Sequence, residues 1–168
     1  LAIIKGNKPG KCIALRADID ALPIEEQNDI PFRSQNKGVM HACGHDVHTA
    51  SMLGTAIILN ELKTQLAGTF LIVFQPAEEK IPGGAKAMLE AGIFKEYQPD
   101  AVIAQHVQPD LPAGKIGIRP GMYMASTDEL YFTVKGKGGH AAMPHQLTDT
   151  VLISANIIEA LQQLTSRH

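Results

Sequence analysis

The feature that most constrains this chain is the alternation of short apolar runs with helical periodicity between Cys12 and Gln105. Residues 12–17, 69–75 and 101–105 are apolar runs of strand length. Between the first two, Val47, Ala50, Leu53, Ile57 and Ile58 recur near 3.6-residue spacing, which predicts a helix over residues 46–66 with Asp46 as its N-cap. A shorter helix is expected over 84–91, closed by Gly92. Strand, helix, strand, helix, strand is the βαβαβ order, so the fold class is α/β: a mostly parallel sheet with flanking helices. The unbroken apolar run at 69–75 suits a strand covered on both faces, and 101–105 reads as another buried strand.

The flanking segments are less regular. Residues 1–4 and 12–17, joined by a linker rich in Gly, Asn and Pro, predict a hairpin. Residues 18–36 are polar, carry Pro23 and Pro31, and read as a loop. Further short strands are expected at 115–119 and 130–135, then a glycine-rich loop at 136–146 and an amphipathic helix at 148–166. A lone strand and helix cannot close a core, so the segment from Glu129 onward reads as the start of a second, incomplete unit. The chain begins at Leu1 inside an apolar stretch, which reads as a piece of a longer protein.

Composition narrows the function. Apolar residues make up 45% and charged residues 19% of the 168, the balance of a globular protein with a buried core. A net charge of -2 supplies no basic excess for nucleic acid or a membrane surface, and no signal-peptide pattern is present. The expected location is cytoplasmic. Cys12 and Cys43 could form one disulfide, but Cys12 sits in a strand as a small core residue and Cys43 lies among histidines, where a ligand would be.

In open parallel sheets, ligands bind beyond the carboxyl ends of the strands. The first strand is followed by Asp18 and Asp20, the second by Glu78 and Glu79, and the third by His106. His41, Cys43, His45 and His48 lie just before or within the first turn of the long helix. Four segments thus bring carboxylates, imidazoles and a thiol to one edge, the donor set of zinc, manganese and related ions. Adjacent glutamates after a buried strand are costly unless something binds them. One could ligate a metal while the other serves as general base. Cys43 and His45, separated by one glycine, can aim at a common ion, and a thiolate can bridge two. Each residue alone has an ordinary reading: a solvated turn for the glutamates, a loop start for the aspartates, a cap or a support for His48. The weight lies in the coincidence of the four segments.

Four motifs occur in order: residues 16–23 (RADIDALP), 40–48 (MHACGHDVH), 75–79 (QPAEE) and 138–145 (GGHAAMPH). With these motifs the chain resembles the M20 family of metallopeptidases and amidohydrolases, within it the hippurate hydrolase, N-acetyl-diaminopimelate deacetylase and auxin-conjugate hydrolase subgroup. The resemblance implies a partial metal-binding catalytic domain over residues 1–124 and the beginning of a lid and dimerisation domain over 125–168. It implies two divalent cations, Mn2+ or Zn2+ first and Co2+ or Ni2+ also compatible. Cys43 would be a bridging ligand, and His45, Glu79 and His106 terminal ligands. Glu78 would be the general base, and Asp18 the acid that orients the site from behind the ligands. His140 would steady the substrate's oxyanion across a homodimer interface. A further metal-binding histidine would lie outside this sequence. The implied activity is metal-dependent hydrolysis of the amide bond of N-acyl amino acids or related small, peptide-like conjugates. Two other readings remain open at this point: a non-catalytic dimerisation or ligand-binding module, and a single structural zinc site.

Overall fold

The computed structural model describes the backbone of residues 1–166 and the side chains through Leu164. It separates into two compact units, Leu1–Ile116 and Gly117–His168. The first is built from β1 (Ala2–Lys5), β2 (Lys8–Asp18), α1 (His45–Glu61), β3 (Ala67–Gln75), α2 (Gly84–Glu90) and β4 (Ala101–Ala104). The strands form one sheet in the order β1-β3-β2-β4. β2 runs parallel to both neighbours, with Cys12 opposite Thr69, Asp18 opposite Gln75, and Ile13 opposite Ala101. The βαβαβ order is therefore realised with a parallel centre, and β2 and β3 finish side by side at Asp18 and Gln75.

β1 departs from the expected hairpin. It pairs antiparallel with β3, Ile4 opposite Phe70, and never with β2. The Gly-Asn-Pro linker reverses the chain as expected, but β3 takes the place between the two strands. Its backbone satisfies both neighbours at once, and Gly68 sits so close to Lys11 that a Cβ there would meet the Lys11 carbonyl oxygen at 2.1 Å.

Side chains alternate across the sheet with the two-residue strand period. On one face Ile4, Ala17 and Ile72 pack with Leu15, Phe70 and Phe74 against Met52, Ala56 and Leu59 of α1. On the other, Ala14, Leu71 and Val73 pack with Cys12 against Met88 of α2 and Ile93, Phe94 and Tyr97 beyond it. β3 is thus covered on both sides, as its continuous apolar run implies.

Four further expectations are corrected. The buried line of α1 runs through His45, His48 and Met52, not through Val47, Leu53, Ile57 and Ile58, which are all more than half exposed. The helix is apolar on several sides, and its inward face hides two histidines that read as polar in a sequence. Its N-cap is Gly44 in the left-handed region (φ 82°), with Asp46 inside the first turn. β4 is exposed along its length rather than buried, because it pairs with β2 alone among the described residues. Residues 115–119 and 130–135 form no strand: Ile116, Ile118 and Tyr131 are almost fully exposed, and an extended segment becomes a strand only against a partner backbone.

In the second unit, a single 3-10 turn (Pro144–Gln146) precedes α3 (Thr150–Ser166). Asp149 caps α3, its Oδ1 accepting the N–H groups of Val151 and Leu152 at 3.0 Å each. No helix among the described residues is long and apolar enough to cross a membrane.

Candidate metal centre

The site is assembled at the carboxyl end of the sheet from the ends of β2, β3 and β4 and the start of α1. His45 is its centre. The ring is buried, and its Nδ1–H donates to Asp20, to the carboxylate Oδ1 at 3.0 Å and the carbonyl oxygen at 3.1 Å. This fixes the tautomer and leaves the Nε2 lone pair free. That atom is buried and has no hydrogen-bond partner. Around it lie Asp18 Oδ2 at 3.7 Å, Glu79 Oε1 at 3.9 Å and Glu78 Oε2 at 4.0 Å. A buried acceptor facing only other acceptors is unfavourable by itself, and a cation among them satisfies all of them.

His106, just beyond β4, is oriented the same way. Its Nδ1–H donates to the Val107 carbonyl at 2.8 Å, so Nε2 is the acceptor, 3.4 Å from Cys43 Sγ. The ligand atoms of Cys43, His45 and His106 all lie within 4.8 Å of one another, and so do those of His45, Glu78 and Glu79. Asp18, His45 and His48 form a third such group, so the structure brings together Cys43, His45, Glu78, Glu79 and His106 with Asp18 and His48 beside them, and His45 is common to all three groups. Cys12 and Cys43 are both free thiols. His41 is exposed and joins none of these groups. His140 lies in the second unit, where its Nδ1 accepts the Ala142 N–H at 3.1 Å.

The glutamate turn is held from several directions. Ala77 adopts a positive φ of 49°, rare for a residue with a Cβ. Gly84 N–H donates to the Ala77 carbonyl at 2.8 Å, and a Cβ on Gly84 would meet the Pro76 carbonyl oxygen at 1.8 Å. The N–H of Glu79 donates to Asp20 Oδ2 at 2.9 Å. Asp20 therefore aims His45 with one oxygen and anchors Glu79 with the other.

Sequence reasoning passed over that role for Asp20 and offered orientation to Asp18. Asp18 is buried and supports a different imidazole: its Oδ1 accepts from His48 Nδ1 at 2.5 Å, and its Oδ2 pairs with Arg16 at 2.8 Å. The one available signal was the spacing of the two aspartates, which puts Asp18 at the last position of β2 and Asp20 two residues beyond it. Burial pushes both carboxyls up. The His48 hydrogen bond, the Arg16 guanidinium and the imidazoles outweigh it at Asp18; the Glu79 and own-backbone N–H groups with His45 outweigh it at Asp20. Both finish below the ordinary carboxylate range. The Cys43 thiol moves the opposite way, raised by burial first and then by the Glu79 carboxylate, with Glu78 and Asp18 adding to it. Its proton is held by negative surroundings that a cation would neutralise.

A profile of peptidase family M20/M25/M40 matches residues 14–167. The chain is 49% identical over its whole length to the N-acetylcysteine deacetylase of Bacillus subtilis, covering 43% of that protein. It is 48% identical over its whole length to an N-acyl-L-amino acid amidohydrolase of Geobacillus stearothermophilus, covering 45%. The chain thus spans less than half the length of these relatives. Among solved structures, a putative aminohydrolase from methicillin-resistant Staphylococcus aureus superposes on 98% of the chain and 44% of its own, with a TM-score of 0.77 and 44% identity. A dinuclear metal-binding peptidase from Bacillus subtilis superposes on 71% of the chain and 33% of its own, with a TM-score of 0.67 and 52% identity.

Proposed function

The chain belongs to peptidase family M20/M25/M40, and on that footing we propose that it carries most of the metal centre of an amidohydrolase acting on N-acyl amino acids or related small conjugates. The single observation that carries this reading is the buried, unpartnered Nε2 of His45, faced by carboxylates and close to a thiol. Cys43, His45, Glu79 and His106 would hold two divalent cations, Mn2+ or Zn2+. When bound, such cations supply Lewis acidity, acidifying water and polarising an amide carbonyl. The donors in this cluster exceed the four that close a single structural zinc site, which favours the catalytic reading over the structural one.

Glu78 is the proposed general base. It is more exposed than Glu79, so it can meet a substrate and a water while Glu79 is anchored through its backbone. Its carboxylate takes a proton from the attacking water and returns it to the leaving amine nitrogen, so that no net proton is consumed at the side chain. His140 is the proposed oxyanion donor. Its Nδ1 already accepts a backbone N–H, which puts the ring proton on Nε2 where it can donate. The unit carrying His140 is the proposed contact with a second copy of the chain.

Metal analysis combined with hydrolysis of acetylated and benzoylated amino acids tests the proposal. In the complete protein, two equivalents of metal with turnover are expected; one tightly held zinc without turnover there would replace the proposal with the structural reading. Glu78→Gln in the complete protein should retain metal and lose turnover by about 10²–10⁴-fold. Near-normal turnover in that variant would remove Glu78 as the base.

A further inference from the structure

His48 belongs to none of the roles assigned above, yet it is the most deeply buried polar side chain near the site, with no exposed surface. Its Nδ1–H donates to Asp18 Oδ1, and its Nε2 accepts the backbone N–H of Val107 at 2.9 Å. Both ring nitrogens are therefore committed to protein partners, although the ring lies beside His45 and, at 4.6 Å between centroids, His106. Val107 is the residue next to His106. Its side chain packs against Gly44, where a Cβ would come within 2.3 Å of Val107 Cγ2. The segment after β4 is thus docked on the start of α1 at two points, one polar and one steric, either side of the same residue.

We propose that His48 is a positioning residue: it links Asp18 to the Val107 amide and so presents His106 Nε2 to Cys43, without itself binding metal. The inference rests on the reading of Cys43 and His106 as ligands. β4 has one hydrogen-bonded neighbour, and His106 is exposed, so little else restrains the loop that carries it. Asp18 is in turn fixed by Arg16, whose Nε donates to Gln75 Oε1 at 2.8 Å. The chain Gln75–Arg16–Asp18–His48–Val107 therefore ties the ends of β3 and β2, α1 and the post-β4 loop into one unit.

Histidine 15N spectra of the full chain, without and with Zn2+, test this directly. The expected result is a His48 ring protonated at Nδ1 and accepting at Nε2 in both states, with metal-induced shifts at the Nε2 atoms of His45 and His106 only. A metal-induced shift of His48 Nε2 would make it a ligand and overturn the inference. In Co2+ titrations, His48→Leu should weaken binding of one of two ions by about 10–100-fold and alter the thiolate-to-cobalt absorption, the scale expected when a group supporting a ligand is lost. His48→Gln, whose side-chain oxygen can accept from Val107, should recover most of that loss. Unchanged binding in the leucine variant, or a glutamine variant as weak as leucine, would refute the role. Failure of the unaltered chain to take up any metal would instead sink the metal-centre reading on which the inference stands.

Discussion

Gly44 offers the sharpest test of how this site is built. It lies between Cys43 and His45, adopts φ 82°, and faces Val107 so closely that a Cβ would sit 2.3 Å from Cγ2. Gly44→Ala therefore incurs two costs. Holding a residue with a Cβ in the left-handed region costs about 1–2 kcal/mol. Relieving the overlap means moving Val107 or α1, and overpacking of this kind costs about 1–3 kcal/mol. The expected destabilisation is about 2–5 kcal/mol in urea unfolding of the metal-free chain. Relief by movement of Val107 also carries His106 away from Cys43, so Zn2+ affinity should fall in the same variant. Gly54→Ala is the control: Gly54 lies inside α1, has no positive φ and has nothing within 4 Å of a built Cβ. The same chemical change there should stabilise by about 0.5–1 kcal/mol, because alanine restricts the unfolded chain and suits a helix. If both variants shift stability in the same direction, or if Gly44→Ala costs less than about 1 kcal/mol, the close approach of Val107 to the helix start is wrong.

Two further outcomes follow from charge. The raised Cys43 thiol must lose its proton when a cation binds, so Zn2+ affinity should rise about tenfold per pH unit between about pH 7 and about pH 8.5, above the histidine range. A pH-independent affinity in competition with a chelator would remove the thiol from the ligand set. Asp18, depressed in the folded chain, contributes its stability in full above the ordinary aspartate value of 3.8 and loses it as pH falls through the lower folded value. Asp18→Asn should then destabilise the metal-free chain by about 3–5 kcal/mol at neutral pH, the cost of breaking a buried charge pair, with the gap narrowing below about pH 4. A constant gap across that range in chemical unfolding would show that the lost contribution is not the ionised carboxylate.

Much of the frame could be read from local pattern. The apolar runs that became β2, β3 and β4, the two helices between them, and the appearance of Glu78, Glu79 and His106 directly after strands all follow from short-range periodicity. A residue that follows a parallel strand is carried to the edge where ligands bind, whatever the details of packing. Hence Glu78, Glu79 and His106 could be named as candidates, beside Asp18, Asp20 and the histidines and cysteine at the start of α1; the family resemblance narrowed these to Cys43, His45, Glu78, Glu79 and His106, which the structure gathers. Pairing between distant strands is another matter. That β3 would lie between β1 and β2, and that residues 115–119 and 130–135 would find no partner, depends on backbone hydrogen bonds made across long stretches of chain. The inward face of α1 was equally hidden, because several of its sides are apolar and the buried line begins with two histidines. Asp18 and Val107, 30 and 59 residues away, satisfy both ring nitrogens of His48, whereas Asp20, 25 residues away, holds only Nδ1 of His45 and leaves its Nε2 to the site. Residue types and their local order select the donors at this site. Which nitrogen each donor turns toward the others is settled by hydrogen bonds that exist only once the chain has closed on itself.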